Sequence, residues 1–125
     1  MEQGYLIDTN AAIDYLQNRL PAKANDIIDG NRINMSVITR MELLAWKKAT
    51  SEQLKLLHSF IDASNVYNLD EQTIVEGIEI RKNHNIKLPD AIIAATALVH
   101  SYILITRNMS DFKGISKLIL IDPWQ

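Results

Sequence analysis

The sequence predicts a three-layer α/β/α fold, with helices on both faces of a central, mainly parallel sheet of about five strands. Three observations carry that expectation. Short apolar runs rich in β-branched residues recur along the chain, helical patterns lie between them, and several connections hold two helices, as crossovers between parallel strands require. At 125 residues the chain, 1–125, is about one ordinary domain, and a chain of that size buries roughly two-thirds of its unfolded surface.

The strands are expected at Tyr5–Ile7, Ile33–Ile38, Tyr102–Ile105 and Leu118–Ile121, with Val66–Leu69 a weaker fifth. Helical patterns cover Ala11–Gln17, then Ala22–Asp29 after Pro21, then Arg40–Lys48, where Met41, Leu44 and Ala45 share a face. Thr50 to Gln53 form a capping box that starts a helix reaching about Ala63, and Asp70 starts another reaching about Asn83. Pro89 suits the first turn of a helix over Asp90–Val99. In such sheets ligands bind beyond the carboxyl ends of the strands.

Composition narrows the class. With 47% hydrophobic and 22% charged residues the chain is globular rather than disordered. Cysteine is absent, which removes disulfides and thiolate metal sites. Glu2 and Asp8 stand where a secretory leader has a basic patch, and the longest near-continuous apolar run, Ala91–Val99, is far short of a membrane span. A cytoplasmic protein is expected. The formal net charge of -2 argues on its face against nucleic acid.

Four acids change that reading. Asp8 ends the first strand in "YLIDTN", Glu42 lies in "SVITRMELLAW" after the second, Asp90 opens the late helix in "KLPDAIIAATAL", and Asp111 follows the strand in "ILITRNMSDF". Each has an ordinary local explanation. Asp8 or Asn10 caps a helix, Glu42 completes a capping box with Thr39, Asp90 sits against a helix macrodipole, and Asp111 or Ser110 caps a short turn. Together they fall near one predicted sheet edge and come from four separated segments.

Two carboxylates about 5 Å apart repel by roughly 3 kcal/mol at an effective dielectric of 20, more than a helix terminus returns. Such a cluster needs a cation, and an all-oxygen set of acids suits Mg²⁺ or Mn²⁺, the ions of phosphodiester hydrolysis. Thr106 and Asn108 would add neutral ligands or orient water. Setting these four acids aside from the 15 leaves 13 basic against 11 acidic residues, so the remaining surface is compatible with phosphate. Candidate contacts to an RNA backbone are Arg40 and Arg107, together with Lys47, Lys48, Arg81, Lys82, Lys87 and Lys113.

In order and spacing, "LIDTN", "SVITRMEL", "LPDAIIAATAL" and "LITRNMSDF" resemble the PIN-domain nucleases, most closely the VapC-like toxins of toxin–antitoxin pairs. The resemblance spans nearly the whole chain and implies the strand order 3-2-1-4-5. It implies that Asp8, Glu42, Asp90 and the more peripheral Asp111 are catalytic metal ligands, supported by Thr9, Asn10, Thr106 and Asn108. It also implies Mg²⁺- or Mn²⁺-dependent cleavage of RNA, a cognate antitoxin that silences the site, and a homodimer. A non-toxin RNA-processing nuclease and a silent RNA- or protein-binding module are the alternatives. Two departures from the family pattern stand out: "HSY" at 100–102 replaces a frequent glycine, and Trp46 stands where a smaller residue or a tyrosine is common.

Other chemistries fit less well. A receiver domain wants an adjacent acidic pair after the first strand, and a dehalogenase-like phosphatase wants Asp-x-Asp where this chain has Asp8-Thr9-Asn10. The four glycines are scattered, which removes a phosphate cradle, and no serine elbow is present.

Overall fold

A computed structural model describes residues 3–125, so Glu2 lies outside the described residues. Five strands, β1 (Tyr5–Ile7), β2 (Asn34–Ser36), β3 (Asn65–Tyr67), β4 (Ile103–Ile105) and β5 (Leu120–Ile121), form one sheet. Their order is β3-β2-β1-β4-β5 and every pairing is parallel, as the sequence predicts. The connections carry α1 (Thr9–Leu16), α2 (Ala22–Asp29), α3 (Val37–Leu44), α4 (Ser51–Ala63), α5 (Glu71–Asn83), α6 (Leu88–His100) and α7 (Met109–Phe112). Among the described residues no helix is long and apolar enough to cross a membrane.

The core lies in two layers, one on each face of the sheet. One holds Leu6, Leu104, Phe112 and the α6 side chains Ala91, Ile93, Ala94 and Ala97. The other holds Ile7, Met35 and Ile105 with Leu43 and Leu57 from α3 and α4. Successive residues of β1 and β4 thus point to opposite layers, and both layers are apolar, which explains why the strands read as continuous hydrophobic runs rather than alternating ones.

β1 has its predicted bounds, whereas β2 ends earlier than predicted because a polar residue caps a helix there. Ser36 accepts a hydrogen bond from the Ile38 amide (3.1 Å) and starts α3 at Val37, so the run that reads as strand to Ile38 turns helical two residues early. The expected capping box from Thr39 to Glu42 does not form; Thr39 lies inside α3 and is fully buried. Asp8 likewise starts α1 at Thr9, two residues before the expected Ala11. The Thr50–Gln53 box and the Asp70 cap of α5 form as predicted. Lys117, in the left-handed region at φ 69°, precedes the predicted strand start at Leu118, and β5 begins only at Leu120.

At the "HSY" departure, Ser101 is the C-cap of α6 at φ 58°, ψ 40°, the left-handed position that helices commonly give to glycine. Tyr102 then enters the sheet beside Gly4, where an added Cβ would meet two Tyr102 ring atoms at 2.5 Å. Gly77, in the middle of α5, has room: its nearest neighbours would be Ala95 Cβ at 3.9 Å and Ala91 O at 4.0 Å. The two glycines therefore predict opposite outcomes in urea unfolding. Gly4→Ala loses about 1–3 kcal/mol by overpacking, and Gly77→Ala gains about 0.5–1 kcal/mol from the better helix former. Equal effects would contradict the packing described.

Candidate active site

Parallel register brings the first acid to its partner. Ile7 pairs with Ile105, so the next residues along each strand, Asp8 and Thr106, emerge side by side at the carboxyl edge of the sheet. The Asp8 amide still bonds to Ile105 O (2.9 Å), which fixes the backbone at the point where β1 becomes α1. Asp8 is only 5% exposed. Its Oδ1 accepts from the Thr9 amide (2.7 Å) and its Oδ2 from Thr106 Oγ1 (2.8 Å). The capping role read from the sequence is real and coexists with a place in the site.

From Asp8 a string of hydrogen bonds runs in both directions. Toward α3, Thr9 Oγ1 donates to Glu42 Oε1 (2.6 Å) and lies 3.2 Å from the hydroxyl of buried Thr39. Toward α7, the Asn108 amide donates to Thr106 Oγ1 (3.0 Å), and Asn108 Nδ2 donates to Asp111 Oδ2 (2.7 Å). Asp8, Glu42 and Asp111 are thereby linked through Thr9, Thr106 and Asn108. Because α3 starts early, Glu42 lies in its second turn, too far along to cap it and correctly placed to reach Thr9.

Asp8, Thr9, Glu42, Asn108 and Asp111 line one cleft of about 280 Å³, together with Asn10, Lys87, Pro89 and Asp90. Asp90 enters from the first turn of α6, where Pro89 fixes the backbone. Two larger grooves, of about 810 and 550 Å³, flank α5 and contain none of the four acids, although Arg81 and Lys82 line the smaller of the two. Their walls are apolar side chains such as Leu98 and Ile119, or Ile74 and Leu88, which suits contact with another chain rather than catalysis.

The acids perturb one another. Burial raises the Asp8 carboxyl above the ordinary carboxylate range, the bonds from Thr106 and Thr9 oppose the rise, and the charge of Glu42 adds to it. Burial also raises Asp90, with further increments from the charges of Asp8, Asp111 and Glu42 and a partial offset from Lys87. Every other candidate acid thus acts on Asp90. Among the described residues, however, no three His, Cys, Asp or Glu side chains stand close enough to hold one ion as placed. The donor chemistry, carboxylates with Thr and Asn oxygens, fits a hard divalent cation. Among the described residues the Asp90 carboxylate accepts no hydrogen bond, so it is the acid with most freedom to adjust.

Arg40 and Arg107 do not line the cleft. Arg107 instead pairs with Asp14 (3.2 Å), an α1 acid only 2% exposed, which also accepts from Trp124 Nε1 (3.2 Å). This triad ties the loop after β4 to α1 and to the end of the chain. The sequence reading missed it: Asp14 carries no motif, and its only signal is a charge one turn beyond Asn10 among apolar neighbours. Thr39 was missed as a site residue because its spacing from Glu42 imitates a cap.

The PIN domain family model matches residues 5–118. Among solved structures, the chain is similar to a toxin–antitoxin complex from Klebsiella pneumoniae, with 30% identity over 98% of this chain and 99% of that one and a TM-score of 0.78. A DNA-bound VapBC from Salmonella typhimurium is 25% identical over 99% and 100% of the two chains, with a TM-score of 0.81. VapBC-1 from nontypeable Haemophilus influenzae is 27% identical over 97% and 98%, with a TM-score of 0.80. None of the curated proteins matches.

The charge cluster predicts how stability responds to its removal. A carboxyl raised in the folded state holds its proton where the unfolded chain has lost it, so its contribution to stability falls as pH rises through the raised value. In chelator, Asp90→Asn should melt a few degrees above wild type at neutral pH, and the gap should close as pH falls to about 4. Thermal melts of the two proteins across that range check it; a variant less stable than wild type at neutral pH would contradict it.

Proposed function

The chain belongs to the PIN domain family, and on that premise we propose that it is a divalent-metal-dependent endoribonuclease acting in the cytoplasm as the toxin of a toxin–antitoxin pair. The observation that carries the reading is the convergence of four acids from four separated segments on one cleft, three of them joined by a hydrogen-bonded string. The partner half of the proposal is supported by the neighbours of known structure, which include toxin–antitoxin complexes. A homodimer is supported by the exposed apolar side chains Val75, Ile78 and Ile119 on and beside α5.

In this reading Asp8, Glu42 and Asp90 hold the cation, Mg²⁺ or Mn²⁺, with Asp111 at the periphery. When bound, the ion supplies Lewis acidity to the phosphoryl group and activates water for in-line attack. The chain's own residues set the geometry. Thr106 and the Thr9 amide keep both oxygens of Asp8 in fixed directions, Thr9 holds Glu42, and Asn108 holds Asp111, while Asn10 faces the same cleft and is available to the substrate. The acids position and balance charge; none attacks the phosphate.

Incubating structured RNAs with Mg²⁺ or Mn²⁺ tests the proposal. Wild type should cut them and leave 5′-phosphate and 3′-hydroxyl ends, and Asp8→Asn and Asp90→Asn should abolish the cutting. Thr106→Val, which removes a group that only positions Asp8, should lower the rate roughly 10–100-fold. Equal activity in wild type and both Asn variants, or 2′,3′-cyclic phosphate ends, would overturn it.

A further inference from the structure

The cleft contains one group that its acids do not explain. Of the eight basic residues considered as backbone contacts, Lys87 is the one that lines it. Others are engaged elsewhere: Lys82 lies 3.8 Å from Glu79, Arg107 pairs with Asp14, and Arg81 donates through Nε to Ile86 O. Lys87 is the exposed N-cap residue of α6, with extended backbone (φ -68°, ψ 149°) and no capping bond from its side chain. It stands three residues before Asp90 and shares the cleft with four carboxylates, yet among the described residues it forms an ion pair with none of them.

The Lys87 ammonium partly offsets the neighbouring acids at Asp90 without closing an ion pair on any of the four. Left open, it is a compact charge with three donors on a flexible stem, a form suited to a phosphate oxygen. A phosphodiester entering the cleft also meets carboxylates from Asp8, Glu42, Asp90 and Asp111, and the other lining residues are neutral. We propose that Lys87 is a substrate-contacting residue whose ammonium binds a non-bridging oxygen of the RNA backbone at the carboxylate cleft. The proposal rests on the nuclease reading above and gives the cleft's one basic residue a role toward the substrate beyond its effect on Asp90.

The test uses the full chain, a labelled structured RNA with a single-stranded loop, and three proteins: wild type, Lys87→Gln and Lys87→Arg. Binding is followed by fluorescence anisotropy in Ca²⁺ across a salt series, and cleavage in Mn²⁺ under single-turnover conditions. Lys87→Gln should bind roughly tenfold more weakly. Its plot of log affinity against log salt should be shallower by about 0.7, the value for one lost phosphate contact to a single strand. Lys87→Arg should restore most of both, and all three proteins should melt alike, which a purely structural role would not produce. Wild-type affinity and slope in Lys87→Gln would overturn the proposal. RNA binding without cleavage by wild type would overturn the nuclease reading and leave Lys87 to be decided by the slope. Failure of wild type to bind RNA at all would overturn both.

Discussion

Asp8 is a carboxylate almost removed from water, with three more acids around the same cleft, and the rest of the site follows from keeping it there. Burying a charge without partners costs several kcal/mol. The chain offsets this with two charge-assisted hydrogen bonds, each worth about 1.5–3 kcal/mol. One comes from the backbone of α1 and one from Thr106 on the neighbouring strand. Both donors exist because β1 and β4 are parallel, adjacent and in register. A shift of one residue would turn Asp8 or Thr106 to the wrong face of the sheet.

The remaining acids depend on the same framework at one remove. Glu42 is tethered through Thr9, which lies directly after Asp8, and Asp111 through Asn108, which lies two residues after Thr106. The Asp14–Arg107–Trp124 triad braces that second loop from behind, with a buried acid satisfied by a guanidinium and an indole. Asp90 alone comes in on α6 without a hydrogen-bonded tether, and it is the acid on which all the other charges act. The site thus combines a rigid side built on Asp8 with one side chain left to adjust.

Much of this was legible in the sequence. The strand order, the Thr50 and Asp70 caps, and the segments carrying the four acids follow from periodicity, polar punctuation and family resemblance. What failed was local competition. Ser36 outcompetes Thr39 as the cap of α3, since a β-branched run before it reads as strand until a side-chain hydroxyl turns the backbone. That shift of start is also what frees Glu42 from a capping box and delivers it to Thr9. Asp14 carried no motif, and Lys87 was not distinguished from the seven other candidate contacts, because burial and a shared cleft are properties of the tertiary fold. Arg107 looked available for RNA only because its partner lies 93 residues earlier in the chain, on another element.

The four acids around the common cleft are expected to bind a divalent cation, and anomalous scattering from crystals soaked in Mn²⁺ locates it. A peak is expected in the cleft with oxygens of Asp8 and Asp90 among its ligands and Glu42 or Asp111 beside them. Manganese bound elsewhere, or no ordered ion while the four carboxylates stay apart, would contradict it.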